Sequence, residues 1–227
     1  MREKNKPAGK KSAQAESKPE ELALAYHSHH NGKIEIGLKV PVRSYDDFAI
    51  WYTPGVAEPS RAIKGTRERV YEYTNKGNFV AIVTDGTRVL GLGDVGAEAA
   101  LPVMEGKAML FKYLGGVDAF PLCLATKDIE EIITVVKVIA PTFGGINLED
   151  IESPKCYELL ERLREELSMP VWHDDQQGTA LVILAGLINA LKILGKDLNE
   201  VAISLIGAGA ANMNVAKYLQ IAGAKWE

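Results

Sequence analysis

Cysteine is scarce. The 227 residues hold two, Cys123 and Cys156. Both sit in apolar or helical surroundings. That excludes a disulfide framework and points to a reducing compartment. A long hydrophobic run is also missing. The longest, residues 180–191, is interrupted by Gly186 and Asn189 and followed by Lys192. It is too short and mixed for a membrane span and suits a buried core helix. No apolar segment near the start reads as a secretory leader, so the expected location is cytoplasmic. Charge of one sign is not in great excess: 26 Lys and Arg stand against 30 Asp and Glu, a net −4. Nothing there calls for nucleic acid. What is present is 47% apolar and 25% charged residues, enough for a packed core. The length suits one large domain or two small ones.

The chain is organised around Trp172-His173-Asp174-Asp175-Gln176-Gln177-Gly178-Thr179-Ala180. A short apolar strand (170–172) precedes the acidic pair, and a long apolar helix (about 178–194) follows it. A second pair, Glu149-Asp150, follows the strand-like 145–148. In a parallel α/β sheet both pairs would point into the crevice beyond the strands' carboxyl ends. Without a cation, carboxylates so placed raise each other's pKa values. All-oxygen ligation suits Mg²⁺ or Mn²⁺ rather than zinc or copper.

Residues 1–20 are polar and Lys-rich and read as a disordered, solvated tail, with a basic arm as the alternative. The stretch 21–36 starts as a helix and turns at Asn31-Gly32. Its His27, His29 and His30 do not share one helix face, which favours surface histidines over a metal set. Tyr52 sits before Thr53-Pro54-Gly55 on an extended segment, where packing is the ordinary role. Two strand-like runs, 79–83 and 89–92, end at Thr84-Asp85-Gly86-Thr87 and at Gly93-Asp94. Between them, Arg88 either binds a carboxylate or pairs with Asp85 or Asp94. Lys107 lies on an apolar helix over 102–113, where it either snorkels or carries a lowered pKa suited to proton transfer.

From there strands alternate with helices: a strand at 117–124, a helix to Ala140 capped by Asp128, a strand at 143–148, and a helix through Leu167 opened by Ser153-Pro154. That alternation predicts a doubly wound parallel sheet. A buried strand at 201–206 then leads through Gly207-Ala208-Gly209-Ala210-Ala211-Asn212 to a helix ending near Ala222. A glycine turn between strand and helix is a nucleotide-binding fingerprint, with asparagine here in the third glycine position. The acidic residue for a ribose would lie at or beyond Glu227. The chain therefore reads as the front of a longer protein, or as one that relies on a partner.

Five stretches in order resemble the malic enzymes, closest to the short bacterial and archaeal type. They are 52–57 (YTPGVA), 84–94 (TDGTRVLGLGD), 105–108 (EGKA), 147–150 (NLED) and 173–180 (HDDQQGTA). The resemblance implies an α/β substrate and metal domain over 21–173 and the start of a Rossmann NAD(P)-binding domain over 174–227. It implies Glu149, Asp150 and Asp175 as ligands of Mg²⁺ or Mn²⁺, Lys107 as general base and Tyr52 as general acid. Asp174 would support the lysine, and Arg88 would bind a carboxylate of L-malate. Gly207, Gly209, Ala210, Ala211 and Asn212 would cradle NAD or NADP. The implied activity is oxidative decarboxylation of malate by a homodimer or higher homo-oligomer, with no nucleic acid or membrane partner. Oxaloacetate decarboxylase or malolactic activity is one alternative. A non-catalytic fragment or subunit that keeps the fold is the other.

Overall fold

The computed structural model describes residues 18–225. They fall into two compact units that divide between Lys33 and Ile34. In the first, α1 (Pro19–His30) begins on a proline and ends at Asn31, whose left-handed backbone donates its N–H to His27 O. This corrects the expected tail at Pro19 and Glu20. Residues 1–17 of that tail lie outside the described residues. The imidazole Nδ1 of His27 donates to Ala23 O at 2.7 Å, and the His29 and His30 rings meet edge to face. Among the described residues, the three histidines belong to no group placed to hold a metal ion.

The second unit opens with three short helices, α2 (Asp47–Trp51), α3 (Ala57–Gly65) and α4 (Val70–Tyr73). Then come β1 (Phe79–Thr84), α5 (Ala97–Gly115), β2 (Asp118–Cys123), α6 (Ile129–Ile139), β3 (Gly145–Leu148), α7 (Lys155–Glu166), β4 (Val171–His173) and α8 (Asp174–Leu194). The four strands form one parallel sheet in the order β2-β1-β3-β4. The chain steps outward to β2 and then crosses back to β3. Right-handed crossovers therefore place α5 on one face and α6 and α7 on the other.

The side-chain alternation of β1 shows this directly. Ala81 and Val83 pack into a core with Ile132 and Val136 of α6 and Leu159 and Leu163 of α7. Ile82, between them, packs with Met104 and Ala108 of α5. Asp128 caps α6 by accepting from Glu131 N at 3.0 Å, as expected.

Several boundaries differ from expectation. α5 begins at Ala97 and carries Pro102 inside it. Pro154 is the N-cap of α7 rather than its first helical residue. Residues 89–92 are not a strand: Val89 and Gly93 close a tight turn with mutual N–H to O bonds of 2.9 and 2.8 Å. α8 starts at Asp174, not near Gly178, so the acidic pair occupies its first turn. A helix N-terminus favours negative charge there.

α9 (Ala210–Ile221) packs on α8 through Ala180, Val215 and Leu219. The expected strand at 201–206 is not formed, and Ile206 is 92% exposed. A strand needs a neighbour to take up its N–H and C=O groups, and no described strand lies beside it. α8 is likewise not the buried core helix expected of its apolar run. Its buried residues are Gln176, Gln177, Ala180 and Leu191, whereas Leu181, Val182 and Ile183 are exposed. By length and composition alone it could cross a membrane. However, its first turn is built into the sheet's carboxyl edge, and its Ala180 is covered by α9.

Candidate active site

Three strands deliver acidic residues to one edge. β1 runs into Asp85, β3 into Glu149-Asp150, and β4 into Asp174-Asp175. Because β1, β3 and β4 are adjacent and parallel, these residues gather at the carboxyl end, where the strand order reverses. Lys107 reaches them from the middle of α5. Its Nζ donates to Glu149 Oε1 at 2.9 Å and to Asp174 Oδ2 at 2.6 Å. This excludes the snorkelling alternative: the amine is turned inward and held between two carboxylates.

Each support has a local cause. Asp174 Oδ1 accepts from the indole N–H of Trp172 at 3.2 Å. A side chain at Gly178 would collide with that carboxylate, its Cβ falling 2.0 Å from Oδ1. Glu149 Oε2 accepts from Asn147 Nδ2 at 2.8 Å. Asp175 Oδ2 accepts from Asp150 N at 3.0 Å. Asp150 itself has a left-handed backbone, φ 53°, and its carbonyl accepts from Arg88 N at 3.0 Å.

The electrostatics are lopsided. Burial pushes the Glu149 carboxyl up to about 7, with Lys107 opposing and Asp175 adding to the rise. Burial and the Asp175 charge push Asp150 up to about 6. For Asp174, burial is outweighed by its hydrogen bonds from Lys107 and Trp172, and its pKa falls. Burial pulls Lys107 down, but Glu149 and Asp174 together hold it above its ordinary value. The edge thus has more negative charge than its lysine neutralises. Burial also holds His173 low, against the pull of Asp175.

Among the described residues, no three side chains stand placed to hold a metal ion as they are. Glu149 faces Lys107 and Asn147, and Asp175 faces the backbone of Asp150. The donor set nonetheless fits a hard divalent cation. The donors are carboxylate oxygens, two of the three residues are buried, and burial, with the Asp175 charge, pushes both of those toward protonation.

Arg88 is exposed and makes no ion pair among the described residues. Its proposed mates are taken: Asp85 pairs with Lys155, and Asp94 with Lys127. Neither of the pairings expected of Arg88 is formed. Tyr52 is not brought to the cluster. It is 69% exposed, and no hydrogen bond joins it to Lys107 or the carboxylates.

Several supporting residues escaped the sequence reading. Asp85 is buried, accepts from Thr87 N at 3.1 Å and from Thr87 Oγ1 at 2.6 Å, and pairs with Lys155. Thr87 Oγ1 in turn accepts from Glu152 N at 3.0 Å, tying the β1 loop to the approach of α7. Gln177 accepts from His173 N at 2.9 Å. Gln176 donates to Cys156 O at 3.1 Å and accepts from Asn214 Nδ2 at 2.8 Å, a buried chain linking α7, α8 and α9. The pair of glutamines after the acidic pair was a visible signal. Asn214 had none.

At the fingerprint, Gly207 has φ 93° and Gly209 caps α9 without a side-chain hydrogen bond to its first turn. Asn212 donates to Ile206 O at 2.8 Å and Gly207 O at 3.0 Å. The residue in the third glycine position therefore braces the turn instead of filling it.

The family model for the malic enzyme N-terminal domain matches residues 31–164. The chain belongs to the malic enzyme family. The model for the malic enzyme NAD-binding domain matches residues 176–225. A NAD-dependent malic enzyme of Geobacillus stearothermophilus is 58% identical over 87% of this chain and 41% of its own length. A bifunctional malic/malolactic enzyme of Bacillus subtilis is 53% identical over 90% of this chain and 50% of its own. The crystal structure of a malic enzyme from Pyrococcus horikoshii has a TM-score of 0.89 and 57% identity, covering 91% of this chain and 48% of its own. The chain thus spans about half the length of the relatives it matches.

Proposed function

We propose that the chain carries out the oxidative decarboxylation of L-malate to pyruvate and CO₂, reducing NAD⁺ or NADP⁺. The observation that carries this reading is Lys107 held by Glu149 and Asp174 at the switch point of a malic-enzyme sheet. In this reading residues 21–173 form the substrate and metal domain, and 174–227 begin the nucleotide-binding domain.

Glu149, Asp150 and Asp175 would hold Mg²⁺ or Mn²⁺, which supplies Lewis-acid polarisation of the substrate's oxygens. Arg88 pairs with a malate carboxylate. A bound nicotinamide would supply the acceptor for the C2 hydride, and neutral Lys107 takes the C2 hydroxyl proton. The oxaloacetate so formed loses CO₂, and a proton from Tyr52 goes to C3 of the resulting enolpyruvate. Glu149 is the largest charge holding the lysine protonated. Sharing that carboxylate with a cation would let the amine fall toward the range a base needs. The nucleotide's pyrophosphate would meet the turn at Gly207 and Gly209 and the first N–H groups of α9, at Ala210, Ala211 and Asn212.

Assembly as a homodimer or larger homo-oligomer is supported by an exposed apolar stretch holding Tyr45, Phe48, Ile50, Trp51 and Tyr52. Tyr52 lies within that stretch. A cytoplasmic location fits the two free cysteines.

The test is the absorbance of reduced nicotinamide with L-malate and Mn²⁺, run with each nucleotide in parallel. A rise that depends on malate supports the reading. A flat trace with both nucleotides from folded protein overturns it for this chain. The malolactic alternative gains weight from the Bacillus subtilis relative, a bifunctional malic/malolactic enzyme. Lactate formed from malate without net nucleotide reduction would favour it. Pyruvate released from added oxaloacetate, with metal and no nucleotide, would favour a simple decarboxylase.

A further inference from the structure

His173 ends β4 and is fully buried, yet neither ring nitrogen has a hydrogen-bond partner. A buried polar atom left unpaired destabilises the fold, so an idle imidazole here needs a reason. The main chain of His173 is already fixed by Gln177, which accepts its N–H at 2.9 Å. The ring itself is held by packing, not by a hydrogen bond. Its Nε2 lies 3.5 Å from Asp175 Oδ2. That same oxygen accepts from Asp150 N at 3.0 Å. The other faces of the cluster have their own partners: Lys107 holds Glu149 and Asp174, and Trp172 holds Asp174.

We infer that His173 is a positioning residue for Asp175: with the proton on Nε2, the ring donates to Oδ2, so that Oδ1 of Asp175 would be free to bind a cation. Carboxylates that bind metals are themselves held by hydrogen bonds. Loss of such a support costs about 10–100-fold in metal affinity or activity. The inference rests on the proposed assignment of Asp175 as a metal ligand. It adds that the histidine of the His-Asp-Asp triplet sets which carboxylate oxygen is free. No contact between His173 and the cation is part of the inference.

The experiment measures Mn²⁺ binding to the 227-residue chain, using the electron paramagnetic resonance signal of free Mn²⁺. The proteins are wild type, Asp175→Asn, His173→Leu and His173→Gln. In parallel, the rise in unfolding temperature on adding Mn²⁺ is recorded for each. The expected result is a 10–100-fold weaker dissociation constant for His173→Leu, about as estimated for a lost support. The Mn²⁺-induced temperature rise shrinks with it. His173→Gln, whose amide can still donate, recovers most of the affinity. A merely structural role would lower the unfolding temperature of the metal-free protein but leave the Mn²⁺-induced rise intact. Should His173→Leu not fold, His173→Met, which fills the cavity without a donor, carries the same expectation. Wild-type affinity in His173→Leu or His173→Met, with Asp175→Asn weakened, overturns the His173 inference and leaves the metal site standing. No Mn²⁺ binding by wild type, or unchanged binding in Asp175→Asn, overturns the metal assignment and this inference together.

Discussion

Two six-residue segments of this chain look alike on paper and end up in opposite conditions. Residues 79–84 (FVAIVT) form β1, hydrogen-bonded on both sides, with Ala81, Ile82 and Val83 fully buried. Residues 201–206 (VAISLI) pair with nothing described, and Ile206 lies in solvent. Both are rich in β-branched and apolar residues. The difference lies in their neighbours. β1 has β2 and β3 beside it and helices on both faces, whereas 201–206 has α8 and α9 and no second strand. Strand propensity describes how well a residue fits a pleated, half-buried surface, and that surface must be supplied by other segments. The same contrast separates the proposed catalytic edge, built by the ends of β1, β3 and β4 with α5 and the first turn of α8, from the nucleotide fingerprint beside the unpaired segment.

The largest expected effect sharpens that second contrast. Lys107→Ala should lower malate oxidation by about 10²–10⁴-fold, the usual worth of a positioned acid or base. Mn²⁺ affinity should stay near wild type, because the lysine is not among the proposed ligands. Steady-state rates and a metal titration on the same preparation check both halves, and loss of metal binding would contradict the assigned role. Asn212→Gly, on the fingerprint side, removes two exposed hydrogen bonds and should cost about 1 kcal/mol of stability or less.

The next effect addresses the paired segments directly. Ile82→Ala removes a fully buried side chain and should destabilise by about 2–5 kcal/mol. Ile206→Ala removes an exposed one and should stay within about 0.5 kcal/mol. Urea denaturation measures both. Equal costs would mean that 201–206 is packed in solution and that the contrast is false.

A smaller effect probes the outer strand. Asp118 at the start of β2 is bracketed by Lys112 at 2.7 Å and Lys39 at 3.1 Å. The hydrogen bond from Lys112, helped by Lys39, holds its carboxyl below the usual range. The lysines are largely exposed, so Asp118→Asn should cost only about 0.2–1 kcal/mol at neutral pH. Since the folded pKa is the lower one, this stability is present above the unfolded value of 3.8 and is lost as pH falls through the folded value. Stability curves of both proteins should converge in acid. A constant gap would contradict the ion-pair origin.

The smallest effect is chemical. Burial pushes both Cys123 and Cys156 up to about 11, so neither thiol should label readily near neutral pH in the folded protein. Cys156, fully buried in α7, should be slower than half-buried Cys123. Thiol-reagent kinetics before and after urea give the comparison.

Legibility in the sequence followed the same division. The alternation of β1 through β4 with α5 to α7 was readable because each element carries its own period and breakers. The Asp128 cap is one such local signal. The boundary errors arose where a local rule met a tertiary exception. Pro102 suggested a helix start but lies inside α5, and the Asp174-Asp175 pair suggested a turn but begins α8. The turn closed by Val89 and Gly93 resembled a strand because Val89, Leu90 and Leu92 are apolar, but Gly91 and Gly93 take positive φ and turn the chain. In the site, Glu149, Asp150, Asp174 and Asp175 could be placed at one edge from strand order alone. The bonds that fix them could not. Asp85 meets Lys155 and Gln176 meets Asn214 across long stretches of chain, and no spacing rule reaches that far.

The central claim is that the carboxyl edge of this sheet is a divalent-cation site with Asp175 among its ligands. A Mn²⁺ binding isotherm of the wild-type chain beside that of Asp175→Ala tests it most directly. The account predicts saturable binding by wild type and a large loss of affinity in the variant. Superimposable isotherms would remove Asp175 from the ligand set and contradict the account at its base.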